Sequence, residues 1–258
     1  MKRKYIFFDI DGTLTDLATG RIVPSAQEAV NRLKAAGHFV SICTGRALYK
    51  AEAFRVAHGF DHMVCNGGHG IILDGKIVEN EPIDFRKAVA VYREARALGY
   101  GVLVATDDSK KVCAEDFRFI EQVGERQEPT VYVIDKEFDV EKAPAIYKMY
   151  ISIPKEKESD LTLRNTVGNL RFKPEYLMFQ HDEKKRGILR MLELVGGEPE
   201  NVVVFGDDTN DLAMFDPQFF CVAMGNARDE ELLRRADYVA PRNLEDGIYR
   251  TCEEMGWF

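Results

Sequence analysis

Cysteine is scarce: five in 258 residues (Cys43, Cys65, Cys113, Cys221, Cys252), far apart and mostly inside apolar runs. An odd, scattered set excludes a disulfide-stapled scaffold and reads as reduced, small core side chains. The five histidines (His38, His58, His62, His69, His181) lack metal-ligand spacing, so none is expected to bind a metal. No block of Lys and Arg reverses a formal net charge of -8, which disfavours nucleic acid and anionic membrane as partners. Long apolar runs are also missing. The run behind Lys2, Arg3 and Lys4 stops at Asp9, too soon for a signal peptide or a membrane span, and the cytoplasm is the expected compartment. With 45% hydrophobic and 30% charged residues and no fixed-period repeat, the chain has the balance of a globular protein, not a disordered one. No protein partner is indicated. A small phosphorylated ligand stays open, because a few amides, cations or a metal can outweigh the global charge in a pocket.

Several short, continuous apolar runs end abruptly in polar or glycine residues: YIFFDID, FVSICTGR, MVCNGG, NVVVFGDD, CVAMGN and DYVAP. Continuous hydrophobicity over four or five residues indicates strands covered on both faces, as in parallel sheets. Helical patterns lie between them. One starts at Ser25, with Glu28 three residues on as a capping box, and stops at Gly37. Others begin near Lys184 (apolar face Ile188, Met191, Leu192, Val195), Asp229 and Glu245. Alternating strands and helices imply an α/β fold with a doubly wound, mostly parallel sheet, whose ligands bind beyond the carboxyl ends of the strands.

The middle of the chain reads differently. Asp74-Gly75 between apolar runs is a hairpin signal, and a helix is expected from Asp84 to Leu98. Then follow strand-like GVLVAT, a helix around 110–123, and strand-like TVYVI, AIYKMYISI, NLRFK and YLMFQ. Clustered strands of this kind predict an antiparallel sheet with helices on one face, an α+β domain at 82–180 inserted between core halves 1–81 and 181–258.

The core strand ends deliver Asp9 and Asp11, then Thr44-Gly45-Arg46, then Gly206-Asp207 with Asn210 and Asp211, while Lys184 and Lys185 open the helix before the last group. Clustered carboxylates repel and need a cation, most simply Mg²⁺ among oxygen ligands. Two acids at a spacing of two on a strand can face one side. One can attack phosphorus while the other donates a proton to the departing oxygen. Gly12 allows backbone amides close to the phosphate, Thr13 can hold the turn, and Thr44 and Lys184 can bind the non-bridging oxygens, with Mg²⁺ on Asp9 and Asp207. Thr44-Gly45 can also cap the next helix, a role compatible with anion binding.

In order, DIDGTLTD, CTGR, the Lys heading KKRGILRML, and GDDTND resemble the four signature motifs of the haloacid dehalogenase superfamily. The insertion between the second motif and the Lys resembles its type-two cap, and VCNGG with DYVAPRNLEDGI resembles the Cof-like sugar-phosphatase subgroup. The resemblance implies an aspartyl-phosphate mechanism. Asp9 would be the nucleophile, Asp11 the acid/base, Thr44 a hydroxyl contact and Asp207 a metal ligand. Asp11 would add its backbone carbonyl to the metal, and Asn210 would help to bind phosphate. The subgroup's usual Lys-to-Asp separation selects Lys184 over Lys185. Two departures stand out: His181-Asp182-Glu183 before the Lys, and Asp208 where a small residue is usual. Asp211 is placed in the second shell of the metal, Arg46 in a structural role, and Lys185 and Arg186 on a solvated face. The implied activity is Mg²⁺-dependent hydrolysis of a small phosphorylated metabolite. A sugar phosphomutase and a receiver-like phospho-signalling module are the alternatives, the latter opposed by Asp11 and by the insertion.

Overall fold

The computed structural model describes residues 2–258. In chain order its first elements are β1 (Tyr5–Phe8), α1 (Pro24–Ala35), β2 (Phe39–Cys43), α2 (Leu48–Ala57), β3 (His62–Cys65), β4 (Gly70–Leu73) and β5 (Lys76–Asn80). Then come α3 (Phe85–Ala97), β6 (Val102–Ala105), β7 (Lys111–Ala114), α4 (Arg118–Val123), β8 (Val131–Ile134), β9 (Lys148–Ile151), β10 (Asn169–Lys173) and β11 (Tyr176–Phe179). The chain closes with α5 (Lys184–Val195), β12 (Val202–Gly206), β13 (Phe220–Ala223), α6 (Glu230–Arg235), β14 (Tyr238–Val239) and α7 (Gly247–Glu254). Two compact units result: residues 2–46, 51–80 and 183–258 form one, and 47–50 with 81–182 form the other. No helix among the described residues is long and apolar enough to cross a membrane.

The first unit is built on an eight-stranded sheet in the order β14-β13-β12-β1-β2-β3-β4-β5, parallel from β14 to β3 and antiparallel beyond. Its parallel strands are the continuous apolar runs of the sequence; every residue of β1, β2 and β12 is buried, as a sheet covered on both faces requires. Register decides where the polar residues go. Phe8 lies opposite both Ile42 and Phe205, so the residues that follow β1, β2 and β12 emerge side by side at one edge. Phe8 and Phe205 are fully buried and stack at 4.8 Å. Burying each ring contributes about 1.5–3 kcal/mol, which anchors the strand ends that carry the polar residues.

Local signals resolve differently from one element to the next. Asp74 and Gly75 both take positive φ, 50° and 71°, and close the β4–β5 hairpin as expected. The Asp229 carboxylate caps α6 by accepting from the amides of Glu231 and Leu232. The Ser25 capping box does not form: Pro24 opens α1, Val23 is its N-cap, and Ser25 lies inside the first turn without a capping hydrogen bond. Proline's fixed φ and missing N–H suit that first position, which displaces the serine from the cap.

In the second unit the strand order is β10-β11-β9-β6-β7-β8. All pairs are antiparallel except β7 with β8, which is parallel. The helix expected across 110–123 is in fact strand β7 followed by the shorter α4. Val112 and Ala114 of β7 alternate inward, a period of two that a four-residue segment shows too briefly to read from sequence. The Asp84 carboxylate caps α3 by accepting from the Lys87 amide, where the sequence placed the helix start. Val102 and Val104 of β6 pack with α3 in one apolar cluster, and Leu103 and Ala105 pack with Phe119 of α4 in another, so helices serve both faces of this sheet.

Candidate active site

Strand β1 ends at Phe8, so Asp9 and Asp11 lie beyond it and their spacing is not that of a regular strand. This corrects the strand-based reason for their pairing. Asp9 still extends the ladder through its amide to the Phe205 carbonyl, at 3.0 Å. Its side chain is buried, whereas Asp11 is 51% exposed.

Lys184, the first residue of α5 and only 1% exposed, places Nζ 2.7 Å from Asp9 Oδ1 and 2.5 Å from Asp211 Oδ1. Lys185 points elsewhere, to Asp216 at 2.6 Å, so the two neighbouring lysines are told apart by their partners. The second oxygen of Asp211 accepts from the amides of Asp207 and Asp208 at 2.8 and 3.2 Å. Asp207 Oδ1 in turn accepts from the buried Thr13 hydroxyl at 2.9 Å. Asp9, Asp207 and Asp211 thus form a buried acidic cluster whose ligand oxygens lie within 4.8 Å of one another.

One lysine does not balance three acids out of water. Burial, with the Asp211 charge added and Lys184 opposing, raises Asp9 from 3.8 to about 7. Burial with the charges of Asp211 and Asp9 raises Asp207 to about 8. Burial lowers Lys184, but Asp211 and Asp9 outweigh it and hold the ammonium above its ordinary value. At the end of β2, burial pushes the Cys43 thiol up to about 12, so it stays protonated and inert.

The cluster fits a divalent cation. Its donors are all oxygen, which suits a hard ion, and a double positive charge is what the buried carboxylates lack. Both oxygens of Asp211 are already engaged by Lys184 and two amides, which leaves Asp9 and Asp207 better placed as carboxylate ligands. The extra acid, Asp208, is exposed and turns its side chain to its own helical turn, accepting from the Thr209 amide.

Glycine is obligatory in the adjoining loop. Gly12 has φ +86°, and a Cβ there would lie 2.1 Å from Asp207 Oδ2. Gly206 is similarly constrained, its added Cβ falling 2.6 Å from the Asp211 Cβ. Thr44 is buried at the end of β2, its amide bonded to the Val64 carbonyl and its hydroxyl accepting from the Arg46 amide at 3.2 Å. Gly45 lies in the bend that follows. Asn210 sits half-buried on the 3₁₀ turn Thr209–Met214, outside the acidic cluster.

Three residues went unassigned or differently assigned in the sequence. Arg46, given a structural role, grips Asp11 with both ends of its guanidinium, Nε to Oδ2 at 2.9 Å and Nη2 to Oδ1 at 2.5 Å. Asn226 and Asn243 bind the carbonyls of Gly12 and Thr15, both at 2.9 Å. Both asparagines fall in strand-end stretches singled out by sequence, CVAMGN and DYVAPRNLEDGI, but nothing in one chain says that those ends meet the loop after β1.

Comparison with known proteins identifies the family of the whole chain. A putative bifunctional phosphatase/peptidyl-prolyl cis-trans isomerase from Streptococcus pyogenes is 29% identical over 99% of this chain; the chain spans only 54% of that relative. A phosphoglycolate phosphatase from Methanothermobacter thermautotrophicus is 30% identical over 98% of this chain and 99% of its own. A crystal structure of a hypothetical protein from Geobacillus kaustophilus superimposes with a TM-score of 0.81 at 27% identity, covering 100% of both chains. The family model for haloacid dehalogenase-like hydrolases matches residues 6–251, and the chain belongs to that family.

Proposed function

We propose that the protein is a Mg²⁺-dependent phosphatase that hydrolyses small phosphate monoesters, sugar phosphates foremost, through an aspartyl-phosphate on Asp9. The observation that carries this reading is the buried Asp9 carboxylate held at 2.7 Å by Lys184 beside Asp207. A nucleophile needs a fixed direction of attack and a cation near the oxygens it attacks. In the first step an Asp9 oxygen bonds to phosphorus while the ester oxygen departs with a proton from Asp11. In the second, water attacks phosphorus, Asp11 takes its proton, and inorganic phosphate leaves with Asp9 restored. Arg46 occupies both oxygens of Asp11, so proton transfer requires that one of those hydrogen bonds be given up. Lys184 and the Thr44 hydroxyl are assigned to the non-bridging phosphoryl oxygens, with Gly12, Gly45 and Asn210 lining the phosphate. Bound Mg²⁺, held by Asp9, Asp207 and the Asp11 carbonyl, would supply charge stabilisation to the phosphoryl oxygens and keep both carboxylates ionised. Asp211 orients Lys184 and the Asp207 amide from behind. The inserted unit is assigned the part of a cap that selects the ester, and the cytoplasm is the assigned compartment.

The test is a panel of esters (hexose and pentose phosphates, phosphoglycolate, nucleotides, flavin and pyridoxal phosphates), with and without Mg²⁺, reading released phosphate. Metal-dependent release that disappears in a folded Asp9→Asn variant is expected. Isomerisation of a sugar phosphate without release would point to a mutase, and a lasting phosphoryl group without turnover to a signalling module.

A further inference from the structure

Two asparagines grip the loop that follows Asp9 and Asp11. Asn226, just after β13, donates from Nδ2 to the Gly12 carbonyl at 2.9 Å, while its Oδ1 accepts from the Asn243 amide at 2.9 Å. Asn243, 7% exposed, donates from Nδ2 to the Thr15 carbonyl at 2.9 Å. Each end of the Asn226 amide has a partner of the opposite kind, so flipping it would break both bonds. The two segments are themselves locked together, since a Cβ on Gly225 would fall 2.7 Å from the Ala240 carbonyl.

We propose that Asn226, backed by Asn243, is a positioning residue for phosphoryl transfer, acting through the Gly12 peptide; this rests on the phosphatase reading. Holding the Gly12 carbonyl fixes the plane of its trans peptide with Thr13. Thr13 is the residue whose hydroxyl holds Asp207, and Gly12 packs against the Asp207 carboxyl at a distance no side chain tolerates. A small drift of that peptide therefore moves Asp11 and Asp207 together. The clamp reaches the loop of β1 from β13, across the end of β12, so it ties three strand ends to one geometry.

The test compares Asn226→Asp, which keeps shape and the acceptor for Asn243 but loses the donor to Gly12, with Asn226→Ala and Asn243→Ala. On the best ester, kcat is expected to fall about 10- to 100-fold in both Asn226 variants, with KM within about threefold of wild type. The double variant Asn226→Ala/Asn243→Ala should be no worse than Asn226→Ala, as for residues acting as one unit. Amide exchange at Thr15, whose N–H bonds to the Ile10 carbonyl, should become faster in every variant. An unchanged kcat per folded molecule, or a loss that only follows melting temperature, would overturn the proposal. If wild-type protein releases phosphate from no ester, the phosphatase reading fails. Exchange at Thr15 then decides alone whether the clamp holds the loop, and unchanged exchange would overturn it.

Discussion

Replacing Gly12 by alanine tests the packing of the loop against Asp207 most sharply. Two costs add. With φ at +86°, an L side chain adopts a conformation that costs about 1–2 kcal/mol for a non-glycine residue. The added Cβ would also stand 2.1 Å from Asp207 Oδ2, where ordinary contact begins at 3.4 Å, so carboxylate or loop must recede by about 1.3 Å. Asp207 is buried and held by Thr13, and its backbone amide is tied to Asp211, so it has little room to yield. A displacement of about 1 Å in a catalytic constellation costs on the order of 10²-fold in rate. Gly12→Ala should therefore lower kcat about 100-fold and raise the Mg²⁺ concentration for half-activation, while denaturant unfolding shows a loss of about 1–3 kcal/mol. Phosphate release against Mg²⁺ concentration, beside a urea titration of the same preparation, measures both. Activity within about threefold of wild type would refute the claim that the loop and Asp207 are in fixed register.

Three other perturbations follow from the site. Lys184→Met leaves Asp9 and Asp211 buried without their cation, and removing one partner of a buried pair costs about 3–5 kcal/mol. Calorimetry should show a melting temperature lower by roughly 6–20 °C at neutral pH, at about 2–4 °C per kcal/mol for a chain of this size, and by less in acid. The metal-free protein should lose stability as pH rises. Asp9 and Asp207 shed protons near 3.8 when unfolded but keep them to about 7 and about 8 when folded, so the unfolded chain binds fewer protons across that window. Urea midpoints with and without Mg²⁺ should diverge as pH goes from about 5 to about 8; a constant gap would contradict the charge-repulsion account. Arg46→Ala removes a half-exposed pair, so stability should stay within about 1 kcal/mol while kcat changes, because Arg46 holds Asp11. An unchanged kcat would return Arg46 to a purely structural role.

What the sequence disclosed was governed by range. The parallel strands were legible because burial on both faces leaves a continuous apolar run, as in VVVF before Gly206. The α3 cap at Asp84 and the Asp74-Gly75 turn were legible because their chemistry is local. Ser25 misled because Pro24 holds the preceding position with stronger conformational preference. Strand β7 was hidden in a helix-like context because four residues show too little of a period. Within the site, Asp9, Asp207, Asp211 and Lys184 meet because the strand ends and the head of α5 converge, and each of the four lies in a short motif visible in the sequence. The Arg46–Asp11 pair and the Asn226 and Asn243 clamp depend on loops meeting across 35, 214 and 228 positions of sequence, and no local pattern encodes such meetings.

Phosphorylation of Asp9 is the step on which the proposed mechanism turns. Protein mixed with a turned-over ester and Mg²⁺, quenched in acid within one turnover and digested, should yield the peptide carrying Asp9 with the mass of one added phosphoryl group. The same peptide from Asp9→Asn should carry none. Phosphate release without a phosphoryl group on Asp9 at any quench time, or with the group on another residue, would contradict the account.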